Sequence, residues 1–300
     1  MKTRFQPDRK LSVRMGTTLF LLGLLYVGFA AALIVLLKSV AAVVVILGAL
    51  LFAQFWFSDR VALFAMKARE VTPEEEPDLH ALIDRLCATA DMPKPKVAIS
   101  ELGLPNAFAT GRNAEHSVIC VTRGLIRRLD DEELKGVLAH ELSHVAHRDV
   151  AVITIASFLG VLAGLLVRVT MYSSMFGGRG RKDQNTMMIL LAVMAVSIAV
   201  YSLSFVLIRA LSRYRELAAD RSAALLTAKP SALASALTKL SSDISRIPSE
   251  DLRTAGAFNA FFFTPAAAER GASGGGLFST HPSLEKRLEQ LARISRELGE

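Results

Sequence analysis

Residues 16–37 form a run of 22 residues without a charged side chain. At about 1.5 Å of rise per residue, such a run can cross the roughly 30 Å hydrocarbon core of a bilayer as a helix. In lipid the backbone has no water to bond with, so a helix is the only state open to an isolated segment of this kind. Three more uncharged blocks follow, at 40–57, 150–167 and 186–208. They account for a composition that is 52% hydrophobic with a mean hydropathy of +0.38, too apolar for an ordinary soluble domain of 300 residues. The sequence therefore predicts a mainly α membrane protein with about four transmembrane helices.

The charges around the blocks orient them. Lys2, Arg4, Arg9, Lys10 and Arg14 precede the first block against one acid, Asp8. A secretory signal peptide also starts this way. Here the apolar run is long, no small-residue cleavage site leads into polar sequence, and a second apolar block follows at once, so the first block is predicted to be an uncleaved anchor. Lys38 is the only charge before the second block, which ends in Phe55, Trp56 and Phe57, an aromatic cluster suited to the membrane interface. With Arg60, Lys67 and Arg69 beyond it, both ends of this hairpin are predicted on the cytoplasmic side. Arg168, Arg179, Arg181 and Lys182 lie between blocks three and four, where four spans would place them outside, against the same bias. Those two blocks could instead lie in the interface or dip in without crossing. The length of block four and its lack of charge favour four spans.

The net charge of +7 gathers at the flanks of the blocks, as anionic headgroups favour, and no basic–aromatic groove suited to nucleic acid is visible. Cys87 and Cys120 have no C-x-x-C spacing and are expected to be buried thiols of a reducing compartment. The polar remainder divides the chain into a transmembrane hairpin (1–58), a first catalytic half (59–149), a second hydrophobic hairpin (150–208) and a second catalytic half (209–300). A helix is predicted over 73–87 and short strands at 96–100 and 117–121. Between the strands, 105–111 is bounded by turn formers. Helices are predicted at 209–228, 231–246 and 282–298. Residues 255–280, rich in Gly, Ala and Phe, are expected to be irregular, a candidate lid.

Chemistry concentrates at 130–149. His140, Glu141 and His144 spell H-E-x-x-H, the pattern of a zinc peptidase helix. Asp130 is a good N-cap, Glu133 completes a capping-box spacing, and acids crowd the positive end of the dipole. Leu134, Leu138, Leu142 and Val145 share one helix face, with His140 and His144 roughly opposite. A catalytic zinc has three protein ligands and one open position. His147 stands about 10 Å along the axis from His140, too far for all three histidines to meet one ion on a straight helix. It is expected to be structural or to support a ligand, as are Arg148 and Asp149. After the fourth block, Glu216 could complete a His2Glu set, and Asp220, one turn on, could hydrogen-bond a ligand histidine. An ordinary charged helix surface would have the same spacing. Blocks three and four together return the chain to the same side of the membrane, as a meeting of His140 with Glu216 requires.

Several motifs occur in one order: the apolar hairpin, Pro-Asn-Ala-Phe-Ala-Thr-Gly at 105–111, His-Glu-x-x-His, a second apolar pair, Glu216-x-x-x-Asp220, and Ser-Thr-His-Pro-Ser at 279–283 followed by Arg287. Over nearly its whole length the chain resembles the HtpX family of membrane zinc proteases, relatives of the CAAX prenyl proteases. The resemblance implies a mostly helical zincin-type domain with a small β-sheet, facing the cytoplasm of a prokaryotic inner or plasma membrane. It implies one Zn2+ per chain held by His140, His144 and Glu216, with Glu141 as catalytic base and Asp220 behind a ligand. It further implies His281 as stabiliser of the oxyanion, and Asn106 and Arg287 on the substrate side. The activity implied is endoproteolysis of unfolded or damaged membrane proteins in quality control and stress response. Two other readings compete: a prenyl-protein processing enzyme of the same core, whose relatives enclose a chamber with more spans, and a non-enzymatic zinc-stabilised scaffold.

Overall fold

The computed structural model describes residues 9–37, 40–111, 113–149, 184–246 and 281–300, together with 152–167 apart from 155, 159, 161 and 165. The candidate lid at 255–280 and the basic loop at 168–183 lie outside the described residues. Helices α1 (Arg9–Leu37) and α2 (Val40–Ala65) carry the first two apolar blocks. Phe20, Val27 and Val35 on α1 and Phe52 on α2 are 61–74% exposed, an apolar surface suited to lipid contact. α2 continues past the aromatic cluster that the sequence assigned to the interface. Ala62 near its far end, and Met66 just beyond it, pack against Ala98, Phe108, Val118 and Cys120, so α2 runs directly onto a sheet.

That sheet has four strands, β1 (Ala68–Glu70), β2 (Lys96–Ser100), β3 (Ala107–Gly111) and β4 (Ser117–Thr122), in the order β1-β2-β4-β3. β2 and β4 are parallel and stand where the β-branched runs predicted them; the other pairs are antiparallel. β3, inside the 105–111 segment, is an edge strand. It is not an exposed one: Ala109 alone of its five residues is partly open. Around the sheet lie α3 (Pro77–Ala90), α4 (Arg123–Arg128) and α5 (Asp131–Ala146). The loop before β3 lies so close to α4 that a Cβ on Gly124 would sit 2.1 Å from the Gly103 carbonyl oxygen. Gly124→Ala is therefore expected to destabilise the soluble half by about 1–3 kcal/mol, the range for overpacking, read as a lowered melting temperature in detergent.

The second apolar pair differs from its sequence picture. The third apolar block contributes α6, whose described apolar stretch is Val152–Gly164. It packs Phe158, Leu162 and Ala163 against Phe29 and Leu33 of α1 and Val200 of the following helix. That helix, α7 (Gln184–Thr227), is a single element of 44 residues. The change expected at 208/209 is one of polarity alone, because no Gly or Pro interrupts 184–227. About 66 Å long, α7 is twice as tall as a bilayer core, so one rod carries a membrane segment and a soluble segment. Among the described residues, two helices have the length and hydropathy to cross a membrane, Ser12–Val35 and Leu191–Thr227, against the four expected. Gln54 Nε2 of α2 donates to Thr154 O (3.1 Å) and Ser157 Oγ (3.2 Å), fastening α6 to the first hairpin. Helices α8 (Pro230–Arg246) and α9 (Leu284–Leu298) complete the soluble part.

Candidate metal centre

α5 starts as its sequence dictates. Asp130 Oδ1 accepts the Glu133 N–H (2.9 Å), and the Glu133 carboxylate accepts the Asp130 N–H (3.1 Å), so both halves of the capping box are present. Glu133 is buried and also accepts from Ser235 Oγ (2.6 Å) and Lys239 Nζ (2.7 Å) of α8. Burial works to raise its carboxyl, and these donors outweigh it, holding Glu133 below the usual carboxylate range. Gly136 lets α8 come close, since a Cβ there would stand 3.3 Å from the Leu233 backbone. Leu134, Leu138, Leu142 and Val145 enter the main core, as their shared face predicts. The opposite face is not open to solvent: His140 is 1% and Glu141 4% exposed, because α7 and β3 close over it.

On that face His140 Nε2 and His144 Nε2 are 3.1 Å apart. Glu216, from the soluble half of α7, places one carboxylate oxygen 3.4 Å from His144 Nε2 and the other 3.7 Å from His140 Nε2. Ligand atoms about 2.0–2.1 Å from one ion at tetrahedral angles stand about 3.3–3.4 Å apart, close to the 3.1 Å between the two nitrogens and to the approach of each carboxylate oxygen to one of them. The remaining imidazole nitrogens point at carboxylates: His140 Nδ1 lies 3.0 Å from Asp220 Oδ1, and His144 Nδ1 2.6 Å from Asp149 Oδ2. With a proton on each Nδ1 beside its carboxylate, both Nε2 lone pairs would face one point, an arrangement that a cation between them relieves. Burial lowers the His140 pKa, and the hydrogen bonds to Asp220 and Glu216 outweigh it, so the net shift is upward. The three residues thus form a group able to hold a metal ion.

Each supporting carboxylate has its own arginine. Arg287, 2% exposed, gives Asp220 two parallel bonds, Nε to Oδ2 at 2.7 Å and an Nη to Oδ1 at 2.6 Å. Its fork thus stands behind His140, and its other Nη lies 3.8 Å from a Glu216 oxygen. Arg215, 3% exposed, holds Asp149 at 2.7 Å. Asp149 was expected to be structural or supporting, and Arg215 was not singled out; a buried arginine beside a candidate ligand was the available clue. His147 caps the C-terminus of α5 and stands outside the ligand group, as the helix geometry required.

Glu141 is buried beside the group, and one of its oxygens accepts the Ala109 N–H of β3 at 2.9 Å. Burial pushes its carboxyl above the ordinary value, against the pull of His144, His140 and the Ala109 N–H. His281 Nδ1 lies 3.1 Å from a Glu216 oxygen, which brings this histidine to the centre. Asn106 is 1% exposed, its main chain clasped by the Thr122 hydroxyl and N–H. Burial lifts the Cys87 and Cys120 thiols to about 11 and about 12, in keeping with the inert thiols expected.

The sequence profile of Peptidase family M48 matches residues 73–295, a span that includes every group just described. The chain belongs to peptidase family M48. "Protease HtpX homolog 1" of Streptomyces coelicolor is 68% identical over 301 residues, covering 100% of this chain and 98% of its own. "Protease HtpX homolog" of Moorella thermoacetica is 49% identical, with 100% of this chain and 99% of its own covered. The crystal structure of S. mikatae Ste24p superposes with a TM-score of 0.51 at 17% identity, over 95% of this chain and 66% of its own, a likeness of fold alone. This M48 peptidase is thus a membrane metalloprotease of the HtpX kind, and the resemblance drawn from its motifs holds over the whole chain.

Proposed function

We propose that the metal is a single zinc ion held by His140, His144 and Glu216, and that the enzyme is an endopeptidase for unfolded or damaged membrane proteins. The observation that carries this is the group of His140, His144 and Glu216, whose ligand atoms lie within 4.8 Å of one another, with a carboxylate beside the second nitrogen of each imidazole. Nitrogen and oxygen donors of this number suit zinc. Zinc supplies Lewis acidity, making water nucleophilic near neutral pH and polarising the scissile carbonyl. Glu141 takes the proton from the attacking water and delivers it to the leaving amine. Its raised pKa suits a base that must also give the proton up. His281, whose Nδ1 lies 3.1 Å from a Glu216 oxygen, would donate to the developing oxyanion. Arg287 and Asp220 orient His140, and Asn106 steadies the start of β3 through its bonds with Thr122.

Substrate specificity would be loose. In the β3–β4 register, Asn106 pairs with Thr122, so Ala107, Ala109 and Gly111 turn their backbone groups to the outer edge of β3, where the Ala109 N–H already meets Glu141 and its carbonyl would be left for an extended substrate. An extended chain added there would be held by main-chain bonds, independent of its side chains, as clearing damaged proteins demands. The basic flanks of the first hairpin favour a cytoplasmic active site.

The test uses the full chain in detergent with casein, an unfolded membrane protein and a farnesylated C-terminal peptide. One zinc per chain, loss of cleavage with a chelator and its return with zinc are expected for the first two substrates. Cleavage of the farnesylated peptide alone would favour the prenyl-processing reading. Undiminished proteolysis by metal-free protein would overturn the metal assignment.

A further inference from the structure

The route by which the chain leaves α5 is unusual. His147 caps the helix, and Arg148 then adopts φ 55°, a left-handed conformation that a residue bearing a Cβ adopts against a steric penalty. That reversal brings Asp149, the last residue before the apolar block, back beside the helix it has just left. Asp149 is 4% exposed, and a single oxygen, Oδ2, receives both His144 Nδ1 at 2.6 Å and an Arg215 Nη at 2.7 Å. The other Nη of Arg215 donates to the main-chain oxygen of Asp149. One guanidinium therefore fixes both the side chain and the backbone at the point where the chain turns toward α6. Arg215 is also the neighbour of Glu216 on α7, so one helix turn holds His144 from behind and faces it from the front.

We propose that Asp149 and Arg215 are positioning residues of the metal centre, forming a second arginine–carboxylate–histidine relay that orients His144 as Arg287 and Asp220 orient His140. This inference rests on the metal-binding reading above. Asp149 fixes the imidazole as the Nδ1–H tautomer and sets its ring angle, leaving the Nε2 lone pair for the ion. Arg215 keeps Asp149 in that place, because its planar fork can bond the carboxylate and the carbonyl together as a lysine cannot. Because Asp149 leads into α6 and Arg215 continues the apolar part of α7, the relay also ties assembly of the metal centre to docking of the second hydrophobic pair. The soluble half of the site would then be complete only when that pair is packed.

The test measures zinc affinity by competition with a chelating dye, and the visible absorption of the Co2+-substituted protein, for the parent, Asp149→Ala, Arg215→Met and His144→Ala. Zinc affinity should fall about 10–100-fold in Asp149→Ala and Arg215→Met, the range for lost supporting bonds. The Co2+ bands should shift in both variants, and kcat should fall more than KM rises. A part played in folding alone would lower the melting temperature of the metal-free protein and leave the Co2+ bands of the folded fraction where they are. Should either variant not fold, Asp149→Asn and Arg215→Lys replace them, with intermediate losses expected because each keeps part of the relay. Parent-like zinc affinity and Co2+ bands in the folded variants, with binding lost in His144→Ala, would overturn the relay and leave the metal site standing. A parent that binds no zinc would instead sink the metal reading itself.

Discussion

Glu141→Gln should lower kcat for casein hydrolysis about a thousandfold while leaving fold and zinc content unchanged. The substitution is nearly isosteric, and the amide oxygen can still accept the Ala109 N–H that now binds the carboxylate at 2.9 Å. It removes a charge that burial already disfavours, so the folded state loses nothing by it. Glu141 also stands outside the trio of ligand atoms, so the metal should stay. What is lost is the basic oxygen that takes a proton from water, and an amide cannot replace it. Measurement of kcat and of zinc per chain on one preparation decides the matter. A parent-like rate with full zinc would remove Glu141 from the chemistry and favour the scaffold reading. Loss of zinc along with activity would make Glu141 part of the metal site.

The readable parts of the fold were those whose instructions are local. The capping box at Asp130 and Glu133 is contained in four residues, and the structure forms both of its bonds. The β-branched runs at 96–100 and 117–121 became β2 and β4 because each is a short apolar strand buried in the sheet. The continuity of α7 was also legible, since 184–227 has no helix breaker and only the polarity changes at Arg209. Hydropathy reports where a chain meets lipid, and backbone propensity reports where a helix ends. The two boundaries need not coincide. For the same reason α2 passes the aromatic cluster and ends against the sheet.

The site was legible to the depth of its ligands and no further. His140, Glu141 and His144 are announced by spacing on one helix, and Glu216 and Asp220 by their place after the fourth block and by the family pattern. The identity of the groups behind them depends on contacts between distant segments. Arg287 was expected on the substrate side because the family resemblance puts the late element from His281 to Arg287 near the site. In the fold it is among the most deeply buried large side chains, turned toward Asp220. A sequence records that a charge is present near a site, whereas which side of the ligand it occupies is fixed by how α9 docks on α7.

The burial of Arg287 leads to the second large effect. Burial alone would push this guanidinium toward neutrality, and Asp220 outweighs it, so the two charges depend on each other. Arg287→Met keeps the volume of the side chain but leaves the Asp220 carboxylate, 0% exposed, with no cationic partner except a protonated His140. Breaking a buried pair in this way costs about 3–5 kcal/mol, whereas replacing both partners by neutral groups costs much less. The melting temperature of metal-free Arg287→Met should therefore fall by roughly 6–20 °C, at about 2–4 °C per kcal/mol for a chain of this size. Adding Asp220→Asn to the same protein should recover part of that loss, although Asp220→Asn alone weakens the support of His140. Zinc affinity should separate the two effects. It should fall about 10–100-fold in Asp220→Asn and stay low in the double variant, because the histidine has lost its carboxylate in both. Partial recovery of stability without recovery of zinc affinity is the outcome that assigns Arg287 to holding Asp220. If Arg287→Met instead melts with the parent and raises KM for casein, the guanidinium serves the substrate, as its place in the sequence first suggested.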